Sequence, residues 1–243
     1  MTVLCVDCGN TRLKWGLRGD GGWLAFGALP LAEASGLRAA LSTTPVRIVA
    51  CNVAGPAVES HLGALAATLG VPLSLARSQA QQCGVTNGYD DPSQLGADRW
   101  AALVGARGLH DGACLTVNAG TATTIDVLDA EGRFRGGLIL PGLDMMRAAL
   151  ARDTAGLPLS RGEFREVPRN TDDAIASGCL HATLGAMERM YRQIANEEQP
   201  LCLLSGGAAG KLVPLLALPH REVPNLVLEG LARIAEGERK SAR

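Results

Sequence analysis

The stretch VLCVDCGNTRLKWG, residues 3–16, carries the decision about this chain's fold. It begins as an apolar run with β-branched residues, the composition of a buried strand. It then turns polar through Asp7, Gly9, Asn10, Thr11 and Lys14. A hairpin turn accounts for the glycine and the amide. A phosphate-binding loop accounts for them too, because glycine lets backbone N–H groups approach anionic oxygens closely. Recurrence separates the two readings. VDCGNT at 6–11 comes back as VNAGTA at 117–122, a little under half a chain later and again behind a short apolar strand. A third strand-to-glycine turn, LLSGGAA, follows at 203–209. One such turn is weak evidence; its repetition in both halves, with a later double glycine, is much stronger.

Composition narrows the function classes. The 243 residues are 47% hydrophobic, enough for a substantial core in one domain or two small lobes. Aromatic residues make up only 3% against 30 glycines, so small aliphatic side chains do most of the packing. A net charge of -1 argues against a nucleic-acid footprint or a polybasic membrane surface. Asp7 interrupts the first apolar run with no basic residue before it, unlike a secretory signal, and no apolar stretch is long enough to span a bilayer. Residues 236–243, EGERKSAR, read as a solvated charged tail. Seven scattered cysteines, an odd number, fit a reducing cytoplasm. Cys5 and Cys8 form a C-x-x-C without a second pair, and strand geometry points them to opposite faces. The histidines at 61, 110, 181 and 220 show no ligand spacing.

Strand-like and helix-like runs alternate, which reads as α/β. Strands are expected at VLCVD, WLAFGAL (pairing back as a hairpin), VRIVACNV, VPLSLA, ACLTV, TTIDVLD, GGLILPG and LCLLS. Helices are expected at 31–41, at 56–70 ending on Gly70, at 97–109, at 143–151, over a long pattern from 171 to 197, and at 223–236. GVTNGYDDPSQLG, 84–96, reads as a polar loop. A lobe boundary is placed near residue 110, giving lobes 1–110 and 111–243.

The chemistry of the turns is coherent. Hydroxyl and amide side chains at the tips add neutral donors, and an acid at the base can hold a hydrated divalent cation. Two such turns facing each other across a cleft would grip the β- and γ-phosphates of a nucleotide, with the double glycine admitting the adenosine. SGGAAGKLV imitates a P-loop, but Ser205 stands where the first glycine should be and Leu212 follows Lys211, so that reading is rejected. Asp98 and Arg99 open a helix; from the residues alone they read as an ordinary first-turn acid and a surface arginine.

VDCGNTRLKWG, GYDDPSQLGADRW, NAGTATTID with GGLILPG, and SGGAA together resemble the type III pantothenate kinase family, which has a relative known as the Bvg accessory factor. The resemblance runs from Val3 to the C-terminal helix. It implies two duplicated ribonuclease-H-like lobes of the actin–sugar kinase–Hsp70 superfamily with ATP in the interlobe cleft. It also implies a homodimer that phosphorylates pantothenate in the first step of coenzyme A synthesis. Residue by residue, it makes Asp7, Cys8, Gly9, Asn10, Thr11 and Lys14 the first phosphate loop, with Asp7 on the Mg²⁺ side, directly or through water. Gly120 and Thr121 become the second loop. Asp98 becomes the general base, Arg99 binds substrate or steadies the transferring phosphoryl group, and Tyr89, Gly96 and Ala97 line the pantothenate pocket. Thr171 becomes a pantothenate contact reaching across the dimer, or a helix N-cap, or both. Asn118 departs from the pattern: the family usually carries an acid there to hold K⁺ or NH₄⁺. An amide offers oxygen without charge, so the cation site is expected to be weaker; Asp126 either compensates or is only structural. A non-catalytic nucleotide-binding regulator and a kinase for another hydroxyl substrate are the competing readings.

Overall fold

The computed structural model describes residues 2–241. In chain order its elements are β1 (Val3–Cys8), β2 (Arg12–Gly19), β3 (Gly22–Pro30), β4 (Arg47–Asn52), α1 (Pro56–Leu69), β5 (Leu73–Leu75), β6 (Gln81–Gln82), β7 (Val85–Asn87), α2 (Ala97–Leu109), β8 (Cys114–Ala119), β9 (Ala122–Leu128), β10 (Arg133–Pro141), α3 (Leu143–Asp153), α4 (Thr171–Tyr191), β11 (Leu201–Ser205), α5 (Ala209–Leu212), β12 (His220–Glu222) and α6 (Leu226–Ser241). The chain divides into two compact units. The first runs through Asp111 and adds Gly132–Phe134 and, from Asn225, the C-terminal helix; the second comprises Gly112–Glu131 and Arg135–Pro224.

In the first unit the strands lie in the order β3-β2-β1-β4-β5. β1 to β3 are antiparallel neighbours, while β4 joins β1 and β5 joins β4 in parallel. In the second unit β10-β9-β8-β11-β12 repeats that order, with β8 antiparallel to β9 and parallel to β11. The two quoted turns therefore occupy the same topological place, between the first and second strands of each sheet.

β1 is buried along its whole length, as a central strand covered on both faces must be. On one face Leu4, Val6 and Cys8 pack with Leu13, Leu17, Ile48 and α1 residues Val58 and Leu62. Each such aliphatic side chain contributes about 1.5–3 kcal/mol when fully buried. In the second unit Leu115, Val117, Ile125, Val127 and Leu204 form the matching layer beneath α4 residues Leu180, Leu184 and Met187. α1 stops at Gly70, whose φ of 66° is left-handed, as expected from the sequence.

The structure corrects several expectations. α6 belongs with the first unit rather than with the second half of the chain. It crosses α2 so closely that a Cβ on Gly230 would lie 1.7 Å from the Ala101 carbonyl oxygen, and Trp23 Nε1 donates to Glu229 Oε1 at 2.7 Å. The charged segment from 236 is not a free tail: the helix continues to Ser241, and Glu238 pairs with Arg47. Residues 242 and 243 lie outside the described residues. Leu31–Ala40 is a 3₁₀ helix rather than an α-helix, with Ser35 and Gly36 weakening its middle. α4 ends at Tyr191, because the chain must turn back to β11; Tyr191 Oη donates to the Pro200 carbonyl at 2.8 Å. β12 has three exposed residues and carries no hydrophobic signal that could have revealed it.

Candidate active site

In the first unit the segment read as a hairpin turn or a phosphate loop is the tip of a hairpin. β1 and β2 form a hairpin whose tip is Gly9–Thr11, closed by the Gly9 N–H donating to the Arg12 carbonyl at 3.1 Å. Asn10 and Thr11 are exposed at the tip, and the Leu31 N–H braces the Thr11 carbonyl from below at 3.1 Å. Asp7 and Lys14 are cross-strand partners in this register, so acid and cation stand side by side just beneath the tip. Asp7 is only 8% exposed. Burial pushes its carboxyl above the usual 3.8; the Lys14 charge and a thiol hydrogen bond from Cys51 pull it back, and the nearby Asp98 charge adds a smaller upward push. Cys51 Sγ donates to Asp7 Oδ1 at 3.4 Å. Burial holds that thiol well above its ordinary pKa, so it remains a protonated donor. Cys8 offers no side chain to the tip. Its side chain is fully buried in the core beside Leu13, and burial moves its thiol up to about 12.

Asp98 lies in the first turn of α2, half-buried. Its Oδ1 accepts the Arg99 backbone N–H at 2.8 Å. That fold-back requires the glycine before it: a Cβ on Gly96 would sit 2.7 Å from Oδ1. Arg99 is not a surface residue. It is 5% exposed, donates from Nη1 to Tyr89 Oη at 3.0 Å, and lies 5.7 Å and 5.8 Å from the ring centroids of Tyr89 and Phe134. The loop before α2 is ordered by side-chain mimics of turns. Asn87 Oδ1 accepts the Tyr89 N–H at 3.0 Å, and Asp91 Oδ1 accepts the Ser93 N–H at 2.9 Å. Thus Asp7, Lys14, Tyr89, Gly96, Ala97, Asp98 and Arg99 all fall within one unit, with Asp98 close enough to Asp7 to be felt electrostatically. Sequence reasoning missed Phe134 and Cys51, which look like ordinary strand residues.

In the second unit Gly120 and Thr121 form the tip between β8 and β9, with the Gly120 N–H donating to the Ala122 carbonyl at 3.0 Å. Two glycines brace this tip. The Gly142 N–H donates to the Thr121 carbonyl at 2.9 Å, and a Cβ there would lie 2.2 Å from the Gly120 carbonyl oxygen. Gly206, with φ of 102°, packs its backbone on Ala119, where a Cβ would lie 2.3 Å from the carbonyl oxygen. The double-glycine turn is therefore built against the second glycine tip, and Lys211 stands apart in a surface pair with Asp144 at 3.6 Å. Asn118 Oδ1 is buried and has no hydrogen-bond partner among the described residues. Asp126 lies two cross-strand pairs further from the tip, opposite Thr116, and is 1% exposed. Thr171 is exposed at the first position of α4; the N-cap is Asn170, whose Oδ1 accepts the Asp173 N–H at 2.9 Å. Thr171 borders an apolar groove of about 750 Å³ with Met146, Leu150, Leu157 and Ile175.

A repeated β3-β2-β1-β4-β5 sheet with a glycine tip in each copy gives this protein the ribonuclease-H-like fold of the actin–sugar kinase–Hsp70 class. Solved structures agree on that fold. A Baf family protein from Campylobacter jejuni matches with a TM-score of 0.65 at 18% identity, covering 98% of this chain and 99% of that one. The (R)-2-hydroxyglutaryl-CoA dehydratase component A from Acidaminococcus fermentans matches with a TM-score of 0.58 at 12% identity, covering 100% of both chains. More particularly, the chain belongs to the type III pantothenate kinase family, whose sequence profile matches residues 3–193. It is 52% identical to the type III pantothenate kinase of Aromatoleum aromaticum over 96% of this chain and 97% of that protein. It is 50% identical to that of Azoarcus sp. over 97% and 91%.

Proposed function

We infer that this protein transfers the γ-phosphate of ATP to pantothenate, giving 4′-phosphopantothenate in the first step of coenzyme A synthesis. Family membership supplies the substrate. The observation that carries the chemistry is Asp98, a half-buried carboxylate held at a helix N-terminus by a backbone N–H and given room by Gly96.

In the reaction Asp98 accepts the proton of the pantothenate primary hydroxyl while that oxygen attacks the γ-phosphorus in line. The bond to the bridging oxygen breaks and ADP leaves. Backbone and side-chain donors at Gly9, Asn10 and Thr11, and at Gly120 and Thr121, bind phosphate oxygens, and Lys14 supplies positive charge. Asp7 would hold Mg²⁺, directly or through water, and the ion would offset phosphate charge. Asn118 Oδ1 offers a site to K⁺ or NH₄⁺. Tyr89, Gly96, Ala97, Arg99 and Thr171 serve the pantothenate side. The apolar groove beside Thr171 supports assembly as a homodimer, and the free cysteines suit the cytoplasm. Among the described residues no helix is long and apolar enough to cross a membrane.

Coupled ADP release with pantothenate, ATP and Mg²⁺, run in Na⁺ and again in K⁺ or NH₄⁺, tests the activity and the cation together. Asp98→Asn should lower turnover by about 10²–10⁴-fold, the usual share of a general base, with ATP binding retained. ATP binding without pantothenate-dependent ADP release would overturn the kinase reading; wild-type turnover in the variant would remove Asp98 from the mechanism.

A further inference from the structure

The Asp7 carboxylate is held from two sides. Lys14 faces it across the antiparallel pair, and Cys51 faces it across the parallel pair, since Asp7 and Cys51 are register partners of β1 and β4. Cys51 is 0% exposed, and its Sγ lies 3.4 Å from Asp7 Oδ1, within range of a sulfur donor. It is not part of the aliphatic layer formed by Ile48 and Ala50, because strand alternation turns it to the opposite face of β4. The duplicated sheet repeats the register but not the bond, since Asn118 Oδ1 has no hydrogen-bond partner among the described residues. Ser205, 2% exposed, is the β11 register partner of Asn118 on β8. In both copies a small side chain with a hydrogen to donate sits beside the polar residue at the base of the loop.

We propose that Cys51 is a positioning residue for Asp7: its thiol holds Oδ1 and leaves Oδ2 as the oxygen offered to the divalent cation. This rests on the kinase reading, with Asp7 on the cation side. A buried carboxylate with only the flexible Lys14 beside it could turn about its side-chain bonds; the backbone-anchored thiol on β4 removes that freedom. The contribution falls on metal-dependent nucleotide binding and not on the proton transfer, which belongs to Asp98.

The test is calorimetric titration of ATP into the full chain at a series of Mg²⁺ concentrations, without pantothenate, so that no turnover occurs. Cys51→Ala should need about fivefold more Mg²⁺ for half-maximal binding, the factor that one hydrogen bond from a weak thiol donor represents. Metal-free ATP binding should match wild type. The KM for Mg²⁺ should rise in parallel with kcat at saturating Mg²⁺ preserved, and Cys51→Ser, which still donates, should restore most of the response. Should Cys51→Ala fail to fold, Cys51→Val fills the space without donating and makes the same comparison. An unchanged Mg²⁺ midpoint in the non-donating variant, or equal weakening with and without Mg²⁺, would overturn the proposal. Asp7→Asn separates the two layers. If it abolishes the Mg²⁺ response while the Cys51 variants behave as wild type, only the positioning role falls. If Asp7→Asn also responds as wild type, the assignment of Asp7 to the cation falls with it.

Discussion

Replacing Gly96 with alanine should separate activity from stability. The Gly96 backbone, at φ -55° and ψ 139°, is a conformation that alanine adopts without strain. Losing a glycine also narrows the unfolded ensemble, which favours the folded state by about 0.4–1 kcal/mol. The added methyl, however, would lie 2.7 Å from Asp98 Oδ1. Ordinary contact begins at 3.4 Å, so the carboxylate oxygen must retreat by ~0.7 Å and weaken its bond from the Arg99 N–H. A charge-assisted bond of this kind contributes about 1.5–3 kcal/mol at most, and water at the half-buried carboxylate offsets part of its loss. Net stability should therefore stay within about 1 kcal/mol of wild type. Catalysis is less tolerant, because a displacement of about 1 Å in a reacting group costs on the order of a hundredfold. A fall in kcat of roughly ten- to a hundredfold is expected, with ATP affinity unchanged. Coupled ADP release, thermal unfolding and ATP titration on the same preparation provide the three readings. A kcat within threefold of wild type would show that the fold-back of Asp98 onto Gly96 has no catalytic meaning.

Other substitutions probe the remaining parts. Asp7→Asn should stabilise the protein when nucleotide and metal are absent. The folded state binds the Asp7 proton more tightly than the unfolded state does, so wild-type stability falls as pH rises from 3.8 through the raised value and stays lower above it. The melting temperature of Asp7→Asn should exceed that of wild type by more at pH 8 than at pH 4; the reverse order would contradict the burial argument. Phe134→Ala deletes a fully buried ring that packs 5.1 Å from Tyr89, and should cost about 3–5 kcal/mol in chemical denaturation. It should also raise the KM for pantothenate by loosening Tyr89 and Arg99; an unchanged KM would confine Phe134 to a structural role. Asn118→Asp adds charge at the unpartnered acceptor and should increase the stimulation of ADP release by K⁺ over Na⁺. Equal rates in the two salts for both proteins would argue against a monovalent cation at this position.

Much of the fold, and the two glycine tips of the candidate site, were legible in the order of residues alone, for a physical reason. A glycine tip between two strands is a local constraint: the chain must reverse, the backbone must come close to a ligand, and few residue types permit both. That constraint marked VDCGNT and VNAGTA, and through them the two sheets, their glycine tips and the double-glycine turn. Helix boundaries such as Gly70, where the chain must go left-handed, were legible in the same way. The tertiary structure decided what depends on residues brought from far along the chain. α6 returns to the first unit because Gly105 and Gly230 let it lie against α2, and no local pattern says which sheet a terminal amphipathic helix will cover. Phe134 reaches Arg99 and Tyr89 from a segment that leaves the second unit for three residues. Cys51 meets Asp7 only through the parallel register of β1 and β4, a pairing made across 44 positions of chain. Periodicity shows that such residues are buried; only the packed strands show which carboxylate or guanidinium each one is buried against.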